Sequence, residues 1–356
     1  MKKEVLLLVL IGLLFSCSSS STTEETGGGI ESTDDSGTSD VWSIPVADVF
    51  DGGPGRDGIP ALENPGFTIA DNAALLLDSD LVLGYKNGDD IRAYQHIVLD
   101  WHEIVNDNIG DVSMAVTYCP LTGTGIGWNR IINGQETTFG VSGLLYNTNL
   151  IPFDRATRSN WSQILNESVN GQLIGQKVEL VTLVETDWKT WKAMYPDTKI
   201  LSLNTGFSRT YGVYPYVDYR TNNDFFIFPV PVDDRLPSKE RIHAIIDGED
   251  AKAYRFGDLI SENLIRDTFN GKEYLVVGNA NFIASFELDG DKGGLQYTYD
   301  FNDSEIVLSD NEGNSWNIFG EAVSGPRTGQ RLKTSSSFMA YWFSIPAFYT
   351  TELYGS

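Results

Sequence analysis

The chain alternates between stretches rich in β-branched and aromatic residues and short clusters of Gly, Asn and Asp. Apolar stretches bounded by turn-forming residues are typical of β-strands. They predict the strands Leu81–Tyr85, Met114–Tyr118, Thr137–Val141, Val178–Val184, Phe225–Phe228, Arg241–Ile246, Tyr274–Gly278, Phe282–Leu288, Leu295–Asp300 and Ile306–Leu308. The pattern therefore indicates a body in which β-structure dominates.

Helical patterns are fewer. Ser159–Val169 is predicted to form one short helix and Trp188–Tyr195 another. Thr186 and Asp187 stand where helix caps are preferred, and Pro196 would end the second helix. Many strands with few helices predict an α+β, β-dominated fold.

Two sets of matching residues follow one another in the same order. Gly88–Tyr94 is matched 160 positions later by Gly248–Tyr254, and seven residues within 169–195 recur 154 positions later. Matches in one order, with a small net deletion between them, indicate an internal duplication. We therefore expect two divergent, internally duplicated repeats packed together, one in residues 42–225 and a degenerate one in residues 226–356.

Residues 1–17 have the parts of a bacterial lipoprotein signal peptide. Lys2 and Lys3 form a basic start, Leu6–Leu14 is apolar, and Leu14–Cys17 resembles the box that is cleaved before a lipid-modified cysteine. The apolar run is shorter than the roughly 18 to 20 residues that cross a bilayer, so it is expected to be a leader. The alternative is an ordinary secretory signal with an incidental cysteine.

Residues 18–41 are predicted to be a disordered tether between the lipid on Cys17 and the folded body. Ser, Thr, Gly, Glu and Asp dominate this segment, and such a composition buries too little apolar surface to fold. The protein is therefore expected to be lipid-anchored to the cell membrane or the outer membrane, outside the cytoplasm. The sequence leaves the membrane leaflet and the oligomeric state open.

The formal net charge of the chain is −24. A strongly acidic protein repels phosphate backbones, and no basic stripe offsets this charge, so nucleic acid is not expected as a partner. The acidity is explained by solubility of an exposed protein or, alternatively, by calcium or cationic substrates.

The chain has two cysteines, and lipidation would use Cys17. Cys119 then has no intramolecular partner, and it could be a buried apolar filler, a metal ligand or a nucleophile. Across the displacement of 160 positions, His102 corresponds to Glu262 and Cys119 to Asn279. The first repeat is therefore expected to hold the candidate chemistry.

A His near a Cys can deprotonate it, and the thiolate is the nucleophilic and metal-binding form. His102 is the candidate base for Cys119, and Asn106, Asp107 or Asp154 would orient its ring. As metal ligands, Cys119 and His102 would suit copper or zinc. The alternative is that both side chains are packing residues with satisfied hydrogen bonds.

Five motifs resemble a bacterial family known as domain of unknown function 3179. They are Trp101–Asp107, Thr117–Gly123, Phe139–Leu145, Asp154–Gln163 and Tyr195–Thr198. The resemblance runs from about Gly58 to Tyr354, and membership of this family implies no known activity. In the family that the chain resembles, many members carry a second cysteine where Thr122 stands here, so Cys119 cannot form a Cys-x-x-Cys redox pair or a metal clamp of two thiolates.

The sequence discloses no reaction and leaves open whether the protein is an enzyme. One hypothesis is a cell-envelope lipoprotein with a site centred on Cys119 and His102, for thiolate catalysis or soft-metal binding. The other is a non-catalytic surface module that binds a small-molecule ligand or an envelope protein. Seven aromatic residues could line a sugar cleft or pack in the core: Trp161, Trp188, Trp191, Tyr211, Tyr214, Tyr216 and Tyr219.

Overall fold

The computed structural model describes residues 41–73 and 75–356. Its strands, numbered along the chain, are β1 (Val49–Asp51), β2 (Leu62–Glu63), β3 (Phe67–Ile69), β4 (Leu81–Asn87), β5 (Asp90–Gln95), β6 (Ile104–Ile109), β7 (Val112–Cys119), β8 (Thr124–Asn129), β9 (Ile131–Ile132), β10 (Gln135–Glu136), β11 (Phe139–Tyr146), β12 (Asn149–Asp154), β13 (Asn160–Ser162), β14 (Glu167–Asn170), β15 (Leu180–Val181), β16 (Val184–Asp187), β17 (Lys199–Leu201), β18 (Arg241–Asp247), β19 (Asp250–Arg255), β20 (Leu264–Phe269), β21 (Lys272–Gly278), β22 (Ile283–Leu288), β23 (Tyr297–Tyr299), β24 (Ile306–Asp310), β25 (Ser315–Asn317), β26 (Ala322–Ser324), β27 (Lys333–Thr334), β28 (Ser337–Tyr341) and β29 (Thr350–Leu353). The α-helices are α1 (His96–His102), α2 (Trp188–Met194) and α3 (Phe256–Ser261). The β-dominated fold class is thus confirmed.

Local sequence signals account for several of these elements. Helix α2 begins after Asp187, whose carboxylate accepts a hydrogen bond from the backbone N–H of Thr190, and the predicted helix at Trp188–Tyr195 is confirmed. The predicted helix at Ser159–Val169 is wrong. This segment forms β13 and β14, and Asn166 takes a positive φ of 55° that breaks any continuous helix.

No strand forms at Phe225–Phe228, although one was predicted there. Its aromatic rings pack on other side chains: Phe226 lies on Phe343 and Phe228 on Phe50. A high β-propensity indicates that a side chain suits a half-buried surface. Here the segment packs its aromatic side chains in this way without hydrogen-bonding to another strand.

The strands of residues 49–201 form three five-stranded sheets and one small hairpin. The sheet orders are β1-β11-β12-β13-β14, β15-β8-β7-β6-β2 and β16-β4-β5-β17-β3. Residues 241–353 form three four-stranded sheets with the orders β28-β18-β19-β29, β27-β22-β21-β20 and β23-β24-β25-β26. We call these two regions the first half and the second half.

Without the edge strands β1, β2 and β3, the two halves have the same strand orders. Strands β16, β4, β5 and β17 correspond to β28, β18, β19 and β29, and the last pair of each set is parallel in both halves. Helix α1 follows β5 in the chain, and helix α3 follows the corresponding strand β19. The correspondence keeps the displacement of 160 positions through β4–β7 and β18–β21.

Equivalent side chains make equivalent contacts in the two halves. Tyr94 donates a hydrogen bond to Asp107 over 2.6 Å, and Tyr254 donates one to Asp267 over 2.9 Å. Each aspartate also forms an ion pair. Asp107 pairs with Arg92 in the first half, and Asp267 pairs with Lys252 in the second. The two tyrosines are both fully buried.

One hydrophobic cluster contains residues of both halves, because Trp128 and Trp161 share it with Phe338 and Trp342. Removing these large apolar surfaces from water holds the halves against each other. Among the described helices, none has the length and hydropathy to cross a membrane. The predicted signal peptide, Cys17 and all but one residue of the tether lie outside the described residues.

Candidate functional site

The candidate site is built around Glu103, the residue that ends helix α1. Its backbone N–H donates to Leu99 over 2.8 Å, and its carbonyl accepts from Tyr118 over 2.6 Å. Its φ of 58° lies in the left-handed region, which costs a residue with a Cβ on the order of 1 kcal/mol. The hydrogen bonds to the helix end and to strand β7 hold this strained backbone in place.

The Glu103 side chain lines a cavity of about 120 Å³. Besides Glu103, four parts of the chain form its wall: the loop after β1, the end of β7 with the turn that follows it, strands β11 and β12, and the segment that precedes the second half. The other lining residues are Gly52, Pro54, Ile59, Cys119, Leu121, Val141, Gly143, Leu144, Leu145, Leu150, Tyr216, Ile227 and Phe228. The wall is therefore mostly aliphatic, with few polar groups.

Burial gives the carboxyl of Glu103 an unusual protonation state. Glu103 is only 7% exposed, and loss of solvation raises its pKa to about 8, against a smaller lowering by the hydrogen bond from Tyr216. The Tyr216 hydroxyl lies 3.5 Å from Oε1 of Glu103. At neutral pH the carboxyl is mostly protonated, so it can donate a hydrogen bond into the cavity.

Cys119 is the last residue of β7 and is 1% exposed. Its thiol donates to the backbone carbonyl of Thr148 over 3.8 Å. Burial, followed by the charge of Glu103, raises the pKa of the thiol to about 11. Because a nucleophilic cysteine needs a lowered pKa, the geometry favours an inert, protonated thiol over the expected thiolate.

His102 is not paired with Cys119 through its ring nitrogens. Nδ1 lies 2.7 Å from the carbonyl oxygen of Pro60, and Nε2 lies 2.7 Å from the hydroxyl of Tyr211. Burial lowers the pKa of His102, which keeps the ring neutral. The ring therefore ties two loops to helix α1, since each of its nitrogens is occupied by a group distant in sequence.

The expected copper or zinc site at Cys119 and His102 also lacks its ligands. In residues 41–73 and 75–356, no three His, Cys, Asp or Glu side chains come together as a metal-binding group. A structural zinc site requires four protein ligands and a catalytic one requires three. The donor set around Cys119 therefore does not fit such a metal.

Asn106, Asp107 and Asp154 make structural contacts and do not orient the ring of His102. The amide of Asn106 pairs with both backbone groups of Phe139, with 2.8 Å for each hydrogen bond. The carboxylate of Asp154 accepts from the indole of Trp161 over 3.1 Å. The carboxylate of Asp107 accepts from Arg92 and Tyr94, so the structure does not bring these three residues to the ring nitrogens of His102, which lie against Pro60 and Tyr211.

Comparison of the halves shows that the Glu103 side chain is not needed for the backbone. The equivalent residue is Asn263, whose amide donates to the carbonyls of Leu259 and Gly278 over 3.1 and 3.0 Å. In the first half the backbone N–H of Glu103 makes the bond to Leu99 itself. The carboxyl is thus left free to face the cavity.

Sequence reasoning missed Glu103 and Tyr216 as site residues. Glu103 lies within the motif Trp101–Asp107, and its replacement by Asn263 across the same displacement was a usable signal. Of the seven aromatic residues considered for a sugar cleft, Trp161, Trp188, Trp191 and Tyr219 are buried in the core, whereas Tyr216 lines the cavity.

A lysine holds the segment that closes one side of the cavity. Nζ of Lys239 lies 3.6, 4.0 and 4.4 Å from the ring centroids of Tyr219, Phe226 and Phe343. Its backbone N–H donates to Asn223 over 2.8 Å. Ammonium groups are attracted to aromatic faces, but burial lowers the pKa of Lys239 to about 7, so only part of this contact is with a charged group at neutral pH. The three rings lie on the segment next to Ile227 and Phe228 and on the second half.

Comparison with known proteins gives one match. No curated protein and no solved structure matches the chain. The family model described as "Protein of unknown function (DUF3179)" matches residues 56–352, which include the cavity residues from Ile59 to Phe228. The chain therefore belongs to the DUF3179 family.

Proposed function

We propose that this protein is a binding module of the cell envelope, and that the cavity beside Glu103 takes one small, largely apolar molecule. The observation that carries the proposal is a buried, protonated carboxyl at the wall of an aliphatic cavity. Ligand pockets commonly combine an apolar wall with a few placed polar groups. The raised pKa of Cys119 disfavours the thiolate enzyme as an alternative.

The size and polarity of the cavity define the ligand class. Its volume of about 120 Å³ is slightly below that of an engineered apolar cavity of about 150 Å³ that binds benzene. The protonated carboxyl of Glu103 would donate a hydrogen bond to an acceptor on the ligand, such as a carbonyl oxygen. The ligand is therefore a small ring or short chain with one hydrogen-bond acceptor.

Cyclopentanone is a suitable probe, because its carbonyl accepts a hydrogen bond and cannot donate one. Cyclopentanone is expected to bind at pH 6 about five-fold or more tightly than at pH 9.5, where Glu103 is ionised, since a neutral hydrogen bond contributes about 1 kcal/mol. Ligand-observed NMR titration measures both affinities. Cyclopentane, which has no carbonyl, should bind with the same affinity at both values.

Two variants separate the hydrogen bond from the cavity itself. Glu103→Gln keeps a donor but cannot ionise, so cyclopentanone binding should lose its pH dependence. Leu150→Phe fills the space and should abolish binding of both probes. Equal pH dependence in wild type and Glu103→Gln, or undiminished binding to Leu150→Phe, would contradict the proposal.

We further propose that a lipid on Cys17 anchors the protein outside the cytoplasm. The basic start, the short apolar run and the polar segment 18–41 support this placement. Replacing Cys17 by alanine is expected to move the protein from the membrane fraction to the soluble fraction, because the acidic body offers no other attraction to anionic lipids. Immunoblots of fractionated cells measure it, and unchanged membrane retention would count against the anchor.

The two halves also support an origin by internal duplication. Equal strand orders, the conserved parallel pairs and the equivalent Tyr–Asp hydrogen bonds favour two copies of one ancestral unit. In this proposal the first copy, in residues 42–225, carries Glu103 and most of the cavity wall, and Ile227 and Phe228 from the start of the second copy complete that wall. The second copy, in residues 226–356, uses Asn263 at the position of Glu103 to hold its own backbone.

A further inference from the structure

The second half carries a polar cluster that the sequence analysis did not identify. It lies in a cleft of about 60 Å³ between the halves, and its members are His243, Ser285, Ser335 and Ser337. The sequence analysis expected the candidate chemistry in the first repeat, whereas this cluster lies in the second half. The cleft is separate from the cavity beside Glu103, because the two share no lining residue.

Strand register gives the equivalent residues of the first half. Leu83 pairs with Tyr94 as His243 pairs with Tyr254, which makes His243 the counterpart of Leu83. By the same comparison, Gly127 corresponds to Ser285, Val181 to Ser335 and Leu183 to Ser337. An apolar patch in one half is thus a His and three Ser in the other.

Burying these polar groups costs free energy relative to the apolar residues at the equivalent positions. Buried hydroxyl and imidazole groups lose their hydration, and the loss is offset only by hydrogen bonds. The equivalent positions show that apolar residues can fill the same place in this fold. The second half also gives Ser285 room that Gly127 lacks, because a side chain at Gly127 would collide with the backbone of Val181.

The hydroxyl of Ser285 lies at the centre of the cluster. Its Oγ is 2.7 Å from Nε2 of His243, 2.5 Å from Oγ of Ser335 and 3.3 Å from Oγ of Ser337. Ser335 and Ser337 are half-buried and extend the cluster toward the protein surface. A nucleophile within hydrogen-bond reach of its base is the arrangement that serine nucleophiles require.

The ring of His243 is neutral and can accept a proton, and its low pKa makes it a weak base. The residue is buried, and loss of solvation lowers its pKa to about 3, so the ring is neutral at physiological pH. Its Nδ1 has no hydrogen-bond partner among the described residues. Acceptance of a proton at Nε2 requires the tautomer with its hydrogen on Nδ1.

We propose that Ser285 is a nucleophile, that His243 is its general base, and that the site hydrolyses short-chain O-acyl esters. The acyl group must be small, because the cleft holds only about 60 Å³ and is lined by Ile283, Phe286 and Phe338. At the surface, Thr182 and Thr334 meet through a hydrogen bond of 3.3 Å beside this cleft. A two-carbon acyl group fits these limits.

The reaction has two balanced steps. Oγ of Ser285 bonds to the acyl carbon while its proton passes to Nε2 of His243, and the ester C–O bond then breaks as that proton moves to the leaving alcohol. Water next attacks the acyl carbon while His243 takes one of its protons. That proton then passes to Oγ of Ser285 as the C–O bond breaks, which releases the carboxylic acid and restores the serine. The hydroxyl of Ser337, whose Oγ lies 3.3 Å from that of Ser285, would donate a hydrogen bond to the oxyanion.

Methanesulfonyl fluoride is a probe small enough for the cleft. It forms a bond from sulfur to the serine oxygen with loss of fluoride, and peptide mass spectrometry locates the adduct. In folded wild-type protein the adduct is expected on Ser285, and urea-unfolded protein should not form it. Absence of the adduct from folded Ser285, or equal labelling after unfolding, overturns the proposal without need of any variant.

Variants then test the base and the turnover. His243→Asn is expected to slow labelling of Ser285 by about 10-fold, because a base of such low pKa contributes less than one whose pKa is near the working pH. Ser285→Ala should abolish the hydrolysis of 4-nitrophenyl acetate that methanesulfonyl fluoride inhibits, whereas Ser261→Ala, on exposed helix α3, should retain it. If folded His243→Asn is labelled at the same rate as wild type, His243 is not the general base and the mechanism is refuted.

Discussion

Replacing Asp107 by alanine is expected to lower the free energy of unfolding by about 3 to 5 kcal/mol, the usual cost of removing one partner of a buried ion pair. The carboxylate accepts hydrogen bonds from Arg92 over 2.7 Å and from Tyr94 over 2.6 Å, and its side chain is only 5% exposed. Its loss would leave the hydroxyl of Tyr94 buried without an acceptor, which costs more than the hydrogen bond itself.

The second half supplies a matched control. Asp267 has the same partners in kind, Lys252 and Tyr254, but its side chain is 17% exposed. Water can replace part of its hydrogen bonding, so Asp267→Ala is expected to cost about 1 to 2 kcal/mol. Urea unfolding followed by tryptophan fluorescence measures both variants. A loss at Asp267 equal to that at Asp107 would refute the role assigned to burial.

Local signals in the sequence were sufficient for much of the fold. The hairpin of β4 and β5 turns at Gly88, whose φ of 58° suits glycine, and β-rich runs border it on both sides. Helix α2 carries its cap in the sequence. Such elements could be predicted because the residues that define them are neighbours in the chain.

Helices α1 and α3 carry weaker signals and were not predicted. Helix α1 has seven residues, no side-chain cap at its start and two β-branched residues, Ile97 and Val98. A helix this short is unstable alone, and packing stabilises it: Val98 and Leu99 are fully buried in a cluster with Leu83 and Met114. Tertiary contacts therefore determine this helix more than its propensity does.

The candidate site depends on contacts between distant residues, which is why the sequence did not show the partners of His102 and Cys119. The partners of the His102 ring, Pro60 and Tyr211, lie 42 and 109 positions away in the chain. Proximity of His102 and Cys119 in sequence gave no information about these partners. Glu103 enters the cavity for a local reason, its positive φ, but its raised pKa results from the distant strands that enclose it.

The same burial that equips Glu103 for a ligand makes the stability of the protein depend on pH. The pKa of Glu103 is about 8 in the folded protein, against 4.5 for an exposed glutamate. Between these values the unfolded chain has lost the proton that the folded protein retains, so the free energy of unfolding falls as pH rises. The stability is fully present below about pH 4.5 and is lost progressively up to about pH 8.

Glu103→Gln removes this dependence, because an amide does not ionise. From pH 5 to pH 7.5, wild type is expected to lose roughly 3 kcal/mol more stability than the variant, at about 1.4 kcal/mol for each unit of pKa difference. Burial also raises the pKa of Asp100 to about 7, so wild-type stability alone would mix two groups. Urea unfolding of wild type, Glu103→Gln and Asp100→Asn at both pH values separates them.

Asp100→Asn should keep the share of the pH dependence that belongs to Glu103, and Glu103→Gln should keep the share of Asp100. The two residues lie on one helix and its end, so the double variant tests whether their contributions add. If Glu103→Gln has the same pH dependence as wild type, Glu103 is ionised in the folded protein. The cavity would then present a carboxylate, and its ligand would have to be a hydrogen-bond donor or a cation.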